Sequence, residues 1–409
     1  MKIEKIINKE STRCINVAAS KVESLRINND LQNTVRVYDK NAIGVQGSLG
    51  RADFDELEKA AAAKLAQGIP YPETHDKVQV LNIDTAKFIF DKKDFIPKTA
   101  ALLERLAREN PDFLFSNKLF LSSVEKHYEN SDGTKLDYKG NEYALGLAIK
   151  FKGSANIMDE FYGATSDYYD EDEICRDIKL ECDAFLNKLP QIEEDEVIII
   201  GSYEPLQYAL EHFIADIYFN KSSLLDGKLG QKIFNDKLSV LINRDPETQL
   251  AIPFFDEEGV INEGYKNYLI KNGVFEKTVS CKKSAAQYGC ENLGSASAPY
   301  NGVPGIGAGG FEAENTANTL EELLKGRKAV YLSNTGGGDM TPSGDLSIPS
   351  IVSYLYQDGK LVGKLPEFTV TGNLFDILGK DFIGVCKNGF FKFGRQKYFV
   401  YKAKLVNKQ

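Results

Sequence analysis

Apolar and polar residues alternate through Thr34, Val35, Arg36, Val37 and Tyr38, and again through Ile43, Gly44 and Val45. Asp39, Lys40 and Asn41 form a polar turn between them. Alternation puts every second side chain on one face, so this segment predicts a pair of strands, led into by a helix and an early strand. The period changes over residues 52–67, where Phe54, Leu57, Ala61 and Leu65 fall on one helical face. Asp53, Asp55 and Glu56 suit the positive end of that helix dipole, and Gly68 and Pro70 stop it. A second helix is predicted over 97–110, with Pro97 in its first turn and Leu102, Leu103 and Leu106 on one side. Residues 113–115 and 118–124 follow as strands. Residues 138–152 read as a hairpin through Gly140 and Asn141 with an alternating run at 143–151. Residues 174–189 look helical.

Beyond residue 196 the pattern shifts again. Residues 197–201 form an unbroken apolar run, as in a buried strand, and 205–219 predict one helix opening at Pro205. Short strands then alternate with turns at 257–259, 271–273, 357–359 and 387–389, each ending in glycine. Asn-Gly and Asp-Gly pairs favour hairpins because both central residues need positive φ. The expected fold class is α+β. The domains expected are an N-terminal α/β domain over 1–75, a mixed α+β middle over 76–195, and a large mostly-β C-terminal domain over 196–409.

Composition narrows the function classes. The 409 residues carry a net charge of −9, against the basic surface that nucleic-acid binding needs. No run approaches the roughly 18 apolar residues of a membrane helix. The first residues mix charges without a long apolar stretch, which does not fit a signal peptide, so a cytoplasmic protein is expected with no nucleic-acid or membrane partner. Six cysteines without a CxxC pair argue against a zinc ribbon or a secreted disulfide framework. The three histidines, His75, His127 and His212, lie far apart in sequence.

Four segments could carry chemistry. Gly305, Gly307 and Gly310 fit G-x-G-x-x-G spacing, but the segment before them is rich in Ser, Pro and Gly, and the next helix starts too late for a dinucleotide site. The acidic loop 167–173 could bind a hard cation or simply open the following helix. Glu211, His212 and Asp216 share one predicted helix, with His212 and Asp216 four residues apart, where they could share a metal or a hydrogen bond. Gly336, Gly337 and Gly338, followed by Thr341, Ser343 and Gly344, permit close backbone approach. They suit either a backbone-lined groove gripping an extended peptide or a tight connection between strands.

Taken in order, residues 271–275, 284–289, 294–296, 336–347, 354–359 and 366–374, with Val385 and Cys386 after them, resemble the TldD/PmbA family. Val35 to Val45 resemble its N-terminal hairpin. The resemblance implies a metallopeptidase-like assembly. The family's catalytic type carries His-Glu-x-x-x-His on a helix and a late cysteine as third ligand, holding a zinc ion that activates water. The corresponding helix here lacks that motif, while residues 222–231 resemble the family's continuation, so the register is fixed by its flank. Cys386 matches the late cysteine but is left without the helix ligands, and no metal is expected. This pattern is similar to the PmbA (TldE) type, a non-catalytic subunit that pairs with a catalytic TldD. The family is linked to maturation or breakdown of small unstructured peptides, and its members are named modulators of DNA gyrase. The implied partner is a TldD-like subunit or a second copy. Two alternatives stay open: a self-sufficient peptidase using His212, Asp216 and Cys386, and a homodimeric peptide-binding scaffold.

Overall fold

The computed structural model describes residues 1–73, 77–201 and 204–407. The chain opens with two long antiparallel strands, β1 (Lys2–Ala18) and β2 (Lys21–Asp39), with β3 (Ala42–Leu49) on the outer side of β2. The helix expected before Thr34 is therefore strand. Every residue of β2 from Tyr38 down to Val22 finds a register partner or bulge on β1, and this pairing overrides local propensity. Helix α1 (Phe54–Lys64) packs its buried Leu57 and Ala61 on the hairpin. Gly44 permits that contact, since a Cβ there would lie 2.0 Å from the Ala61 carbonyl oxygen.

Next come β4 (Val80–Asp84), helix α2 (Phe95–Glu109), β5 (Phe113–Asn130), β6 (Lys135–Phe151), β7 (Glu160–Ser166) and helix α3 (Glu171–Leu186). β1 pairs with β5 over fourteen register positions from Glu4 to Val17, which makes a seven-stranded sheet ordered β3-β2-β1-β5-β6 with β4 and β7 both on β6. The boundary expected at residue 75 runs through this sheet. The hairpin expected at Gly140 and Asn141 is instead continuous β6, paired there with Val124 and Ser123. The turn lies at Asp132 and Gly133, where Gly133 has φ +102°.

The C-terminal half comprises β8 (Glu196–Gly201), α4 (Glu204–Phe213), α5 (Ala215–Phe219), β9 (Val240–Asn243), β10 (Lys266–Lys271), β11 (Val274–Phe275), α6 (Lys282–Tyr288), β12 (Ala296–Ser297), β13 (Gly305–Ile306), β14 (Phe311–Ala313), α7 (Leu320–Leu324), β15 (Ala329–Thr335), β16 (Asp339–Met340), β17 (Asp345–Gln357), β18 (Lys360–Lys364), β19 (Phe368–Asn373), α8 (Leu374–Ile377), β20 (Phe382–Cys386) and β21 (Tyr398–Asn407). The order β15-β8-β21-β19-β17 closes on itself because β17 also pairs with β15. The α+β class with a large β-rich C-terminal part is the fold observed. Asn272 and Gly273, and Asp358 and Gly359, take the paired positive φ of tight hairpins. Asn388 and Gly389 do not, and β20 reaches β21 through a longer connection.

The two largest buried clusters join these layers. One fills the β15-β8-β21-β19-β17 circuit with Ile199, Val330, Leu332, Ile348, Val370 and Phe399, and includes Leu206, Ala209 and Phe213 from α4. The other joins the N-terminal sheet, α2 and α3 to the opposite face of the C-terminal sheet, through Ile15, Leu145, Ile178, Tyr354 and Val400.

Candidate functional site

The helix expected over 205–219 is broken. Ile214 takes an extended conformation with φ −65° and ψ 130°, and lies alongside Val279. Ala215 N–H donates to the Val279 carbonyl, and Val279 N–H to the Phe213 carbonyl. These two bonds replace helical ones and separate α4 from α5, so the i,i+4 relation between His212 and Asp216 is lost. Asp216 instead faces the Tyr288 hydroxyl.

His212 is turned toward its own flank. Its Nδ1 accepts from Leu224 N–H at 3.3 Å, and its carbonyl accepts from Ser223 Oγ at 2.7 Å. Nδ1 as acceptor requires the proton on Nε2, which lies 3.6 Å from the exposed Glu211 carboxylate. Desolvation lowers the imidazole pKa from its ordinary value, with Glu211 opposing it.

The triple glycine links β15 to β16. Gly336 N–H donates to the Pro349 carbonyl, Gly337 has φ +80°, and a Cβ on Gly338 would stand 2.5 Å from Tyr208 Oη. The next turn, closing β16 onto β17, uses its own hydroxyls. Ser343 Oγ donates to Asp345 Oδ2 at 2.6 Å, Thr341 Oγ1 lies 2.8 Å from Ser343 Oγ, and Asp345 N–H donates to Thr341 Oγ1. Asn373 Nδ2 donates to Asp345 Oδ1, and together with Ser343 it holds the Asp345 carboxyl below the usual range. Gly344, at φ +86°, completes the turn.

Helix α4 and strand β16 thus face each other. A groove of about 340 Å³ lies between Gln207, Tyr208, Glu211 and His212 on one wall and residues 338–342 on the other. β16 is the terminal strand of the sheet. Thr341 N–H bonds to Asp345 across the β16–β17 pair, so Met340 turns its N–H and C=O away from β17. The groove therefore unites Glu211, His212, Gly338 and Thr341. Gly336, Gly337, Ser343 and Gly344 shape its connections, and Asp216 and Cys386 do not line it. Sequence reasoning missed Tyr208 and Met340. The one signal for Tyr208 is the need for a side-chain-free residue at Gly338.

Over residues 204–395 the sequence matches the PmbA/TldA metallopeptidase C-terminal domain. The C-terminal half of the chain thus carries a domain of the TldD/PmbA family. It is similar to a metalloprotease of Methanothermobacter thermautotrophicus, 26% identical over 207 residues, which are 48% of this chain and 44% of that protein. The match thus spans less than half of the metalloprotease's length. An uncharacterized protein of Methanocaldococcus jannaschii is 24% identical over 287 residues, 68% of this chain and 67% of its own. The fold resembles that of TldE from Thermococcus kodakarensis, with a TM-score of 0.79 at 18% identity over 99% of this chain and 97% of that one. It also resembles a proposed modulator of a DNA gyrase from Thermotoga maritima, with a TM-score of 0.76 at 17% identity over 99% and 95%.

A metallopeptidase of the TldD/PmbA family needs ligands for its zinc, and the donor set here does not fit one. Among the described residues no three His, Cys, Asp or Glu side chains gather to hold an ion. Cys386 is fully buried, its Sγ lies 3.8 Å from the Asn388 carbonyl, and burial pushes its thiol up to about 12. His127 pairs with Asp137 in the N-terminal sheet, and His75 lies outside the described residues. The acidic loop is spent on neighbours: Asp167 pairs with Lys87 and Arg395, Asp170 caps α3, and Asp172 meets Arg105. Of the G-x-G-x-x-G glycines, Gly305 faces open space, while Gly307 and Gly310 pack against protein. A Cβ on Gly310 would lie 2.1 Å from the Asn243 carbonyl oxygen, and one on Gly307 would lie 2.6 Å from the Ser297 Cβ.

Proposed function

We propose that this chain is a non-catalytic, TldE-like subunit of a TldD-type peptidase, holding extended, unstructured peptide in the α4–β16 groove. The observation that carries this reading is a groove between α4 and the open side of β16 in which, among the described residues, no three metal-ligating side chains gather. The outward N–H and C=O of Met340 supply main-chain hydrogen bonds to a peptide laid along β16. Main-chain pairing selects for extended conformation over particular side chains, which suits a protein that handles many short peptides. Zinc-activated water would be supplied by a TldD-like partner in the cytoplasm. The self-sufficient alternative, with His212, Asp216 and Cys386 around one centre, draws no support from geometry: His212 serves the 223–224 loop, Asp216 faces Tyr288, and Cys386 is buried against Asn388.

The test is co-purification from native cells. A protein carrying His-Glu-x-x-x-His is expected to accompany the chain, and the pair to cleave unstructured peptides. Cleavage by the chain alone, carrying stoichiometric zinc, overturns the proposal.

A further inference from the structure

On β1, Arg13 shares a face with Ile15 and Val17, which are buried in the core that also takes residues from α2 and α3. Leu121 on β5 stands opposite Arg13, Ser123 stands opposite Ser11, and Asn141 on β6 stands opposite Ser123. These five residues form the floor of a pocket, and residues 87–92 form its roof. Asn141 holds one end of the roof as a backbone would. Lys87 N–H donates to its Oδ1 at 2.8 Å, and its Nδ2 donates to the Lys87 carbonyl at 2.6 Å. Phe90 fixes the other end, buried with its ring edge-on to Tyr143. About 200 Å³ lies between floor and roof.

The chain carries a net charge of −9, yet no Asp or Glu lines this pocket, while Arg13, Lys87 and Lys92 do. Lys87 is neutralised by Asp167 at 2.6 Å. Arg13 and Lys92 have no ion-pair partner among the described residues, and Arg13 Nε is buried without a hydrogen bond. The Ser11 hydroxyl is already spent on Asn29 Oδ1. A guanidinium on the core side of a sheet, with a buried N–H unpaired, is costly unless an anion meets it. The remaining walls, Leu121, Ile89 and Phe90, are apolar, and Phe88 stands at the mouth with 81% of its surface exposed. We propose that this pocket binds a small carboxylate with an apolar body. The Nε–H and an Nη–H of Arg13 are parallel donors that match both oxygens of one carboxylate. Lys92 is exposed, so the single cation inside balances a monoanion, and the apolar walls lack the further donors that phosphate oxygens require. The volume is below the roughly 300 Å³ of a drug-sized pocket, which suits one ring or one branched chain. A free small acid and the C-terminal residue of a peptide share this chemistry. The pocket has no residue in common with the α4–β16 groove, and the proposal does not rest on that groove.

Isothermal titration calorimetry of the whole chain with 3-phenylpropionate tests it. One site with a Kd of about 1 mM or tighter is expected. The uncharged 3-phenylpropionamide should bind about tenfold more weakly or worse. Arg13→Met keeps an apolar stem without the charge and should lower affinity by about tenfold or more, with Arg13→Lys in between because it keeps the charge but loses the paired donors. Phe88→Ala and Lys92→Ala change exposed positions and should each weaken binding by about threefold while leaving the circular dichroism melt at wild type. These two carry the test should Arg13→Met fail to fold. Gly-Gly-Phe, compared with its C-terminal amide, separates the two sources. Binding of the free-carboxylate peptide as tight as that of 3-phenylpropionate assigns the pocket to peptide C-termini, and binding of 3-phenylpropionate alone assigns it to a free acid. A wild-type chain that binds neither acid, or binds the amides or inorganic phosphate as tightly, overturns the proposal. So does an affinity indifferent to Arg13→Met in the folded variant.

Discussion

At the scale of single residues, His212 and Gly338 have duties that geometry makes testable. His212 must be neutral to accept the Leu224 N–H. Its folded pKa lies below the ordinary value, so in the window between them the unfolded chain binds more protons. The stability it contributes is full above roughly pH 6.5 and falls as the pH drops through that range. Thermal melts from pH 7.5 down to pH 5 should show this loss, and His212→Asn, whose Oδ1 can accept the same N–H, should flatten it. Gly338 is the position where a side chain would meet Tyr208 Oη and the Ser347 carbonyl oxygen. Gly338→Val is expected to close the groove and weaken peptide binding by about tenfold or more, measured by fluorescence anisotropy, with the fold retained. The candidates themselves were readable because chemistry-bearing residue types are few. Their partners were not: Asp216 meets Tyr288, seventy-two positions away in sequence, and nothing local announces that pairing.

At the scale of elements, α1 and α2 were legible because their apolar positions recur with helical period and their boundaries carry Asp, Pro and Gly signals. The paired-φ turns at 272–273 and 358–359 were legible for a similar reason. Three failures share one cause. The helix expected before Thr34, the hairpin at Gly140 and the unbroken helix through Ile214 were each decided by a strand or backbone group distant in sequence, namely β1, β5 and Val279. Helix α3 illustrates what such contacts contribute. Its buried Asp177 accepts N–H bonds from Lys392 and Phe393 at 2.8 Å each, and the Tyr162 hydroxyl. Asp177→Ala would leave those buried donors unpaired and is expected to destabilise the chain by roughly 3 kcal/mol in urea melts.

At the scale of the whole molecule, the N-terminal sheet and the C-terminal circuit are joined through a buried carboxylate pair. Ser333 Oγ lies 2.8 Å from Glu160 Oε1 and 3.3 Å from Glu181 Oε1, and the Tyr354 hydroxyl donates to Glu160 Oε2 at 2.7 Å. Burial raises both carboxyl pKa values, and the Glu160 charge adds to the rise at Glu181. The folded chain therefore keeps protons that the unfolded chain loses above roughly pH 4.3. The stability this pair contributes is full below that value and declines as the pH rises toward the folded pKa values. Glu181→Gln, which keeps the shape without the charge, should reduce the decline in melts taken from pH 5 to pH 9. A junction assembled from residues 160, 181, 333 and 354 could not be read from hydrophobic period, and the family resemblance, drawn on residues 25–75 and 200–400, does not reach Glu160 or Glu181.

In the proposed role this chain shapes and holds peptide but leaves the chemistry to a partner. The most direct measurement is metal content and peptide turnover of the purified chain, alone and after adding the His-Glu-x-x-x-His subunit from the same cells. The chain alone is expected to carry no stoichiometric zinc and to turn over no peptide, with turnover appearing in the complex and falling in Gly338→Val. Zinc bound one per chain, with peptide cleavage that needs no partner, would contradict it.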